Sequence, residues 1–214
     1  MKSFLLIGVG TFGTSLAHEL HDLGHQVLVV DRREEKVNGV LPVVNGGRVG
    51  DGADERFLES MDVKSFDVCL VTIGDFKSLL ETTANLKKMG AAMVISRAGD
   101  DSQAISLLRS GADEIIYPEK QIAKWAALRY GSEQIRDYIA MDGSHAILEA
   151  SVPAQWCGKT VVELELRQRY GLNVLAVKEK GQLDVAITPD TVLTDSRTMM
   201  VLGEYSALKQ CFHG

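Results

Sequence analysis

The chain has 214 residues, 45% of them hydrophobic and 24% charged, with a formal net charge of −6. That length suits one large core or two small ones, and no apolar run approaches the roughly 20 residues that span a bilayer. Scattered basic residues argue against a nucleic-acid partner, and Cys69, Cys157 and Cys211, with no C-x-x-C pair, argue against a disulfide framework or zinc site and for a reducing cytoplasm.

The apolar stretch after Met1-Lys2-Ser3 is too short for a signal peptide and reads as a first strand, 4–9. On the helix that follows, Phe12, Leu16, Leu20 and Leu23 recur at helical spacing until Gly24 stops it. A strand at 26–31, a helical stretch at 33–40, a weak strand at 46–49 and a short helix at 55–61 come next. Strand 68–73, helix 78–89 closed by Gly90, strand 92–96, helix 102–110 closed by Gly111, and strand 114–117 complete the first block. These strands are nearly continuous in apolar character, as in a parallel sheet covered on both faces. The alternation predicts an α/β fold, a Rossmann-like doubly wound parallel sheet of six strands.

From 118 to about 136 the pattern becomes amphipathic and helical, with Ile122, Trp125, Ala126 and Leu128, and predicts a connecting crossover helix. The boundaries are therefore 1–117, 118–135 and 136–214. The last block reads as a small α+β lobe. Its elements are a strand at 145–152, a helix at 161–170 with Leu164 inward, a strand at 173–177, a turn at Lys180-Gly181, strands at 183–188 and 198–202, and a closing helix at 204–212.

Gly8-Val9-Gly10-Thr11-Phe12-Gly13 is a G-x-G-x-x-G between a predicted strand and a predicted helix. The first glycine turns the chain, the second lets backbone approach a pyrophosphate, and the third admits close helix–strand packing. The helix N-terminus adds free N–H groups and partial positive charge. Asp31, 18 residues beyond Gly13, is placed to accept hydrogen bonds from ribose hydroxyls. Adenosine-nucleotide binding follows. Asp31 repels a 2′-phosphate, while Arg32 and Arg33 either attract one or are simply solvated. Asp51 either reaches the adenine edge or belongs to a helix start capped by Asp54. No catalytic set accompanies the site. His18, His21, His25, His145 and His213 make no metal pattern, and there is no nucleophile elbow and no Tyr-x-x-x-Lys relay. A binding module without chemistry is the leading reading, and a small NAD(P)-dependent oxidoreductase is the alternative.

The whole chain resembles the regulator-of-potassium-conductance (RCK) proteins, cytosolic gating subunits of Ktr- and Trk-type potassium transporters. The matching stretches are the glycine loop with Phe12, Leu23-Gly24-His25-Gln26-Val27, Val30-Asp31, Val71-Thr72-Ile73-Gly74, Ile95-Ser96-Arg97-Ala98 and Gly111-Ala112-Asp113 leading to Tyr117-Pro118-Glu119-Lys120. Leu164-Glu165-Leu166-Arg167, Tyr170-Gly171 and Val174-Leu175-Ala176-Val177-Lys178 resemble the family's C-terminal lobe. The resemblance implies Rossmann lobes paired through a crossover helix, a homo-oligomer assembled as an octameric ring, and an integral-membrane potassium transporter subunit as partner. The chain would then be cytoplasmic and peripheral on the inner face of the membrane. The implied ligands are ATP or ADP, sometimes NAD(H). Gly8, Gly10 and Gly13 with the Thr11 and Phe12 backbone would hold phosphates, Asp31 the ribose, Asp51 the base side, and Ile73-Gly74 would line the nucleoside. Arg97 would meet phosphates, and Glu119 would hold a divalent or sodium ion near the terminal one. The chain departs from the family at Thr11, where Ktr-type members commonly carry a basic residue that reaches the γ-phosphate. A hydroxyl does not replace that charge, so the preferred nucleotide stays open. In some relatives the C-terminal lobe binds cyclic di-AMP, for which Arg167, Asn173 and Val174 are the candidate positions. An RCK sensor of another cation transporter or antiporter is a further alternative.

Overall fold

The structure, a computed structural model, describes residues 1–212, so His213 lies outside the described residues. The chain forms two compact units, Met1–Lys120 and the chain from Gln121 onward.

The first unit runs β1 (Ser3–Ile7), α1 (Thr11–Asp22), β2 (Gln26–Asp31), α2 (Glu34–Val40), β3 (Gly46–Val49), α3 (Glu55–Glu59), β4 (Val68–Val71), α4 (Phe76–Lys88), β5 (Val94–Arg97), α5 (Asp101–Arg109) and β6 (Glu114–Ile116). All six strands are parallel, in the order β3-β2-β1-β4-β5-β6. The predicted doubly wound sheet is what the chain adopts. Successive side chains of a strand point to opposite faces, so β1 feeds two cores. Phe4 and Leu6 pack with Val27, Val29 and Ala17, whereas Leu5 and Ile7 pack with Cys69, Val71 and Leu79. Burial in that second core pushes the Cys69 thiol up to about 12. Gly24 and Gly90 stop α1 and α4 at φ of +80° and +83°, the left-handed conformation that glycine adopts without penalty.

Helix α6 (Pro118–Tyr130) leads into the second unit, followed by β7 (Ile135–Ala140), β8 (His145–Ser151), α7 (Val161–Leu164), α8 (Leu166–Tyr170), β9 (Asn173–Glu179), β10 (Gln182–Asp184), β11 (Arg197–Glu204) and α9 (Tyr205–Phe212). Its sheet is antiparallel, in the order β10-β9-β11-β8-β7.

Four expectations change here. The connecting helix stops at Tyr130, and Arg136 lies in a strand that sequence periodicity did not reveal. A register shift between Ile135 and Asp137 turns Ile135 and Tyr138, three apart, to the same buried side, and that spacing imitates a helix. The same connecting helix buries Leu128 but leaves Ile122 64% exposed, so its amphipathic pattern is not a simple inner face. The helix expected at 161–170 breaks at Glu165, where φ is +48°. Leu164 and Leu166 are both buried, and residues two apart on one helix do not share a face, so the break lets both reach the core. The strand expected at 183–188 ends at Asp184, the last residue paired with β9, and Val185 is exposed.

Candidate nucleotide-binding site

In the first unit the strand order switches direction between β1 and β4, and in open α/β sheets ligands bind outside the strand C-termini at such a switch. A cleft of about 350 Å³ lies there. Ile7, Gly8 and Gly10 enter it from the end of β1, Val30 and Asp31 from β2, Thr72, Ile73 and Gly74 from beyond β4, and Arg97 from β5. Arg32, Arg33, Lys36, Gly50 and Gly52 complete its wall.

The glycines of the loop divide into two kinds. Gly8 has φ of +103°, and a Cβ there would lie 2.7 Å from the Ile73 nitrogen. A Cβ on Gly13 would lie 2.1 Å from the Gly8 carbonyl oxygen, which also accepts the buried Thr72 hydroxyl at 2.6 Å. The protein's own packing demands both. Gly10 is different. Its backbone is ordinary, with φ −81° and ψ −173°, and a Cβ there would meet nothing within 4 Å, as is also true of Gly74. Packing calls for glycine at neither place, whereas close approach of a ligand to bare backbone does. Gly10 is the N-cap of α1, which has no side-chain cap and no acidic residue in its first turn, so its N–H groups and partial positive charge stay available.

Asp31 sits at the end of β2 with its side chain only 13% exposed. One carboxylate oxygen accepts the Val9 N–H at 2.8 Å and the other the Arg33 N–H at 3.0 Å. It thus braces the glycine loop from the place expected of a ribose ligand. Arg32 is not the freely solvated side chain that one reading of the sequence allowed. It pairs with Asp51 at 2.9 Å and donates to the Ser78 hydroxyl at 2.8 Å. The cleft wall includes Gly50 and Gly52 but not Asp51, whose carboxylate takes Arg32 and the Ala53 N–H. Asp54 caps α3 through the Arg56 N–H, as the alternative for this segment held.

Thr11, Phe12 and Ser15 line an adjoining cleft of about 440 Å³ with Arg97 and Glu119. Arg97 faces both clefts. Its guanidinium pairs with Glu119 in the first turn of α6 and holds that carboxyl below its usual range. The Arg97 Nε is buried and, among the described residues, has no partner. Among the described residues no cluster of three or more His, Cys, Asp or Glu could hold a metal, and His18 and His21 are simply exposed.

In the second unit Arg167, Asn173 and Val174 come together in a cleft of about 360 Å³ with Glu165, Ile187 and Pro189. Sequence reasoning missed Lys36 and Ser78. Lys36 had a readable signal, since it stands three residues beyond Arg33 and so shares its helical face. Ser78 had none, because only the fold brings α4 beside the end of β2.

No helix among the described residues is long and apolar enough to cross a membrane. A TrkA-N domain matches residues 4–118 and a TrkA-C domain residues 147–211. The chain is 29% identical over 210 residues to Ktr system potassium uptake protein C of Bacillus subtilis (strain 168), covering 98% of this chain and 95% of that one. It is 29% identical over 208 residues to Ktr system potassium uptake protein A of Vibrio alginolyticus, covering 97% and 94%. Among solved structures, the GsuK channel superposes with a TM-score of 0.71 at 19% identity, over 99% of this chain and 39% of that one. The GsuK RCK domain does so at 0.66 and 20%, over 100% and 48%. The chain spans less than half of those GsuK chains, and at such identity the likeness is one of fold. With a TrkA-N domain at 4–118 followed by a TrkA-C domain at 147–211, the chain belongs to the RCK family of Ktr- and Trk-type regulatory subunits.

Proposed function

We propose that the chain regulates a potassium transporter by binding an adenine nucleotide, ATP or ADP or else NAD(H), in the cleft between β1 and β4. The observation that carries this reading is Gly10, a glycine that the protein's packing does not need, at the uncapped start of α1. Phosphates would lie on the α1 N-terminus, the ribose at Asp31 and the base against Ile73 and Gly74. Binding does work on the transporter only if two states of the assembly differ in affinity for the ligand, since equal affinity shifts nothing. The site performs no chemistry in this reading. In the wall of the cleft the Asp31 carboxylate is held by the Val9 and Arg33 N–H groups, and the Thr72 hydroxyl is already given to the Gly8 carbonyl oxygen. Calorimetry with ATP, ADP, NAD and NADH, run beside a hydride-transfer screen, is the test. Binding without turnover is expected, and sustained NADH oxidation would favour the oxidoreductase instead.

Glu119 supplies one carboxylate and fits a divalent cation only in company with ligand phosphates, as a Mg²⁺ site held by one or two carboxylates would. Glu119 would have to leave Arg97 to do so, which frees Arg97 for the phosphates. The partner would be an integral-membrane potassium transporter subunit, with the chain at the cytoplasmic face. A homo-oligomer built into an octameric ring agrees with the exposed Ile122 and Tyr130 of α6. Light scattering should find an assembly well above a dimer, and a monomer would contradict the ring. Co-purification with a membrane protein carrying potassium-pore loops separates this reading from a sensor of another cation transporter or antiporter. Cyclic di-AMP is a second ligand, proposed for the cleft of Arg167, Asn173 and Val174. Titration against wild type and Arg167→Ala tests it.

A further inference from the structure

Four cationic side chains line the nucleotide cleft, and three are matched by acids. Arg32 has Asp51 at 2.9 Å, Arg33 has Asp31 at 3.8 Å and Glu35 at 3.9 Å, and Arg97 has Glu119. Lys36 is half-buried in the wall, and among the described residues its ammonium has neither an ion pair nor a hydrogen bond. It stands in the first turn of α2, three residues beyond the N-cap Arg33, and lines the same cleft as Asp31. A partly buried ammonium with no partner gains most from an anion brought to it.

The charge at this end of the cleft favours such an anion. Arg32 and Asp51 neutralise each other. Asp31 turns its charge inward, being 13% exposed, with one oxygen on the Val9 N–H and the other on the Arg33 N–H. Among the residues that line this part of the cleft, Arg33 and Lys36 outweigh Asp31 by one positive charge, and Glu35, which also pairs with Arg33, lies outside the lining. A carboxylate at the end of the second strand ordinarily rejects a 2′-phosphate, and a nearby cation ordinarily accepts one. Here both are present, the acid is screened, and a cation is left over.

We propose that Lys36 is a specificity-determining residue that admits an adenosine nucleotide phosphorylated on its ribose, so that the cleft accepts NADP-type ligands beside NAD-type ones. This rests on the reading that adenosine nucleotides occupy the β1–β4 cleft. NAD⁺ and NADP⁺ differ only by the 2′-phosphate, so the ratio of their dissociation constants isolates the contact. For the wild-type protein NADP⁺ should bind within about threefold of NAD⁺ or more tightly. Lys36→Gln keeps most of the stem and removes the charge. It should weaken NADP⁺ by about tenfold or more while moving NAD⁺ by less than about threefold, and Lys36→Arg should restore the ratio. A thermal melt of each variant establishes that α2 is intact. NADP⁺ binding far more weakly than NAD⁺, or a ratio that Lys36→Gln leaves unchanged, overturns the proposal. If neither dinucleotide nor ATP nor ADP binds, the reading of the cleft falls and this inference falls with it, an outcome distinct from a failed ratio.

Discussion

β1 of the first unit buries every residue from Phe4 to Ile7, whereas β7 of the second buries only Ile135 and Tyr138 among its six. The first sheet is parallel and has a core on each face. It therefore leaves its strand C-termini as the place where polar groups meet solvent, and Gly10, Asp31, Gly74 and Arg97 gather there. The second sheet is antiparallel and bulged, and its cleft is formed by the short helices α7 and α8 with the start of β9. A parallel sheet thus concentrates binding at one edge by construction. An antiparallel one has to build its concavity from loops and helices.

This contrast rests on each unit having a core of its own, and a deletion in each unit gives the largest expected effect. Leu6→Ala and Leu148→Ala remove side chains at 0% and 1% exposure and should each cost about 2–5 kcal/mol. Hydrogen exchange should rise in β1, β2 and β4 for the first and in β7, β8 and β11 for the second. Loss of protection in both sheets from either deletion would break the comparison.

Asp31→Ala should come next. It removes the acceptor of the Val9 N–H as well as the expected ribose contact, each charge-assisted and worth about 1.5–3 kcal/mol. Every adenosine ligand with free ribose hydroxyls should weaken by about tenfold or more, read by calorimetry, while titration of the second unit's cleft is unaffected. Unchanged affinity in a folded variant would remove Asp31 from the site.

The two kinds of glycine make a sharper pair. Gly13→Ala drives a Cβ against backbone and should lower stability by about 1–3 kcal/mol. Gly10→Ala should cost less, about 0.5–1 kcal/mol through the N-cap preference alone, and weaken nucleotide binding by about tenfold. If Gly10→Ala binds normally, the open space at Gly10 has another cause.

The smallest effect is a pH dependence in the second unit. The N–H groups of Ser144 and then His145 hold the Asp142 carboxyl well below the usual range. A depressed folded pKa gives stability that is present above the unfolded value of about 3.9 and is lost as pH falls through the folded one. Melting temperatures from pH 7 downward should therefore fall more steeply below about pH 4 for wild type than for Asp142→Asn. Parallel curves would show that this turn contributes nothing.

The legibility of the sequence followed the same division. β2 and β3 were read to the residue, and Gly24, Gly90 and Gly111 stop their helices as expected, because continuous apolar strands and left-handed glycines leave local marks. In the second unit the sequence pattern does not reveal β7 and reads 161–170 as one helix. A bulge and a left-handed Glu165 change which residues face inward without changing composition. Within the site, the glycine loop and Asp31 were visible as a motif. The pairing of Arg32 with Asp51 and Ser78 was not, since those residues come from three separate connections.

The sequence by itself determined the six-stranded parallel fold and the nucleotide fingerprint, because both are written in local spacing, and its resemblance to the RCK proteins pointed to a two-domain family. Only the tertiary structure decided which charges at the cleft are already spent. Arg32, Arg33 and Arg97 have found acids, and among the described residues Lys36 has not. Whether a cation is free depends on which carboxylates the fold brings within reach of it, and those lie up to 22 residues away along the chain, as Glu119 does from Arg97.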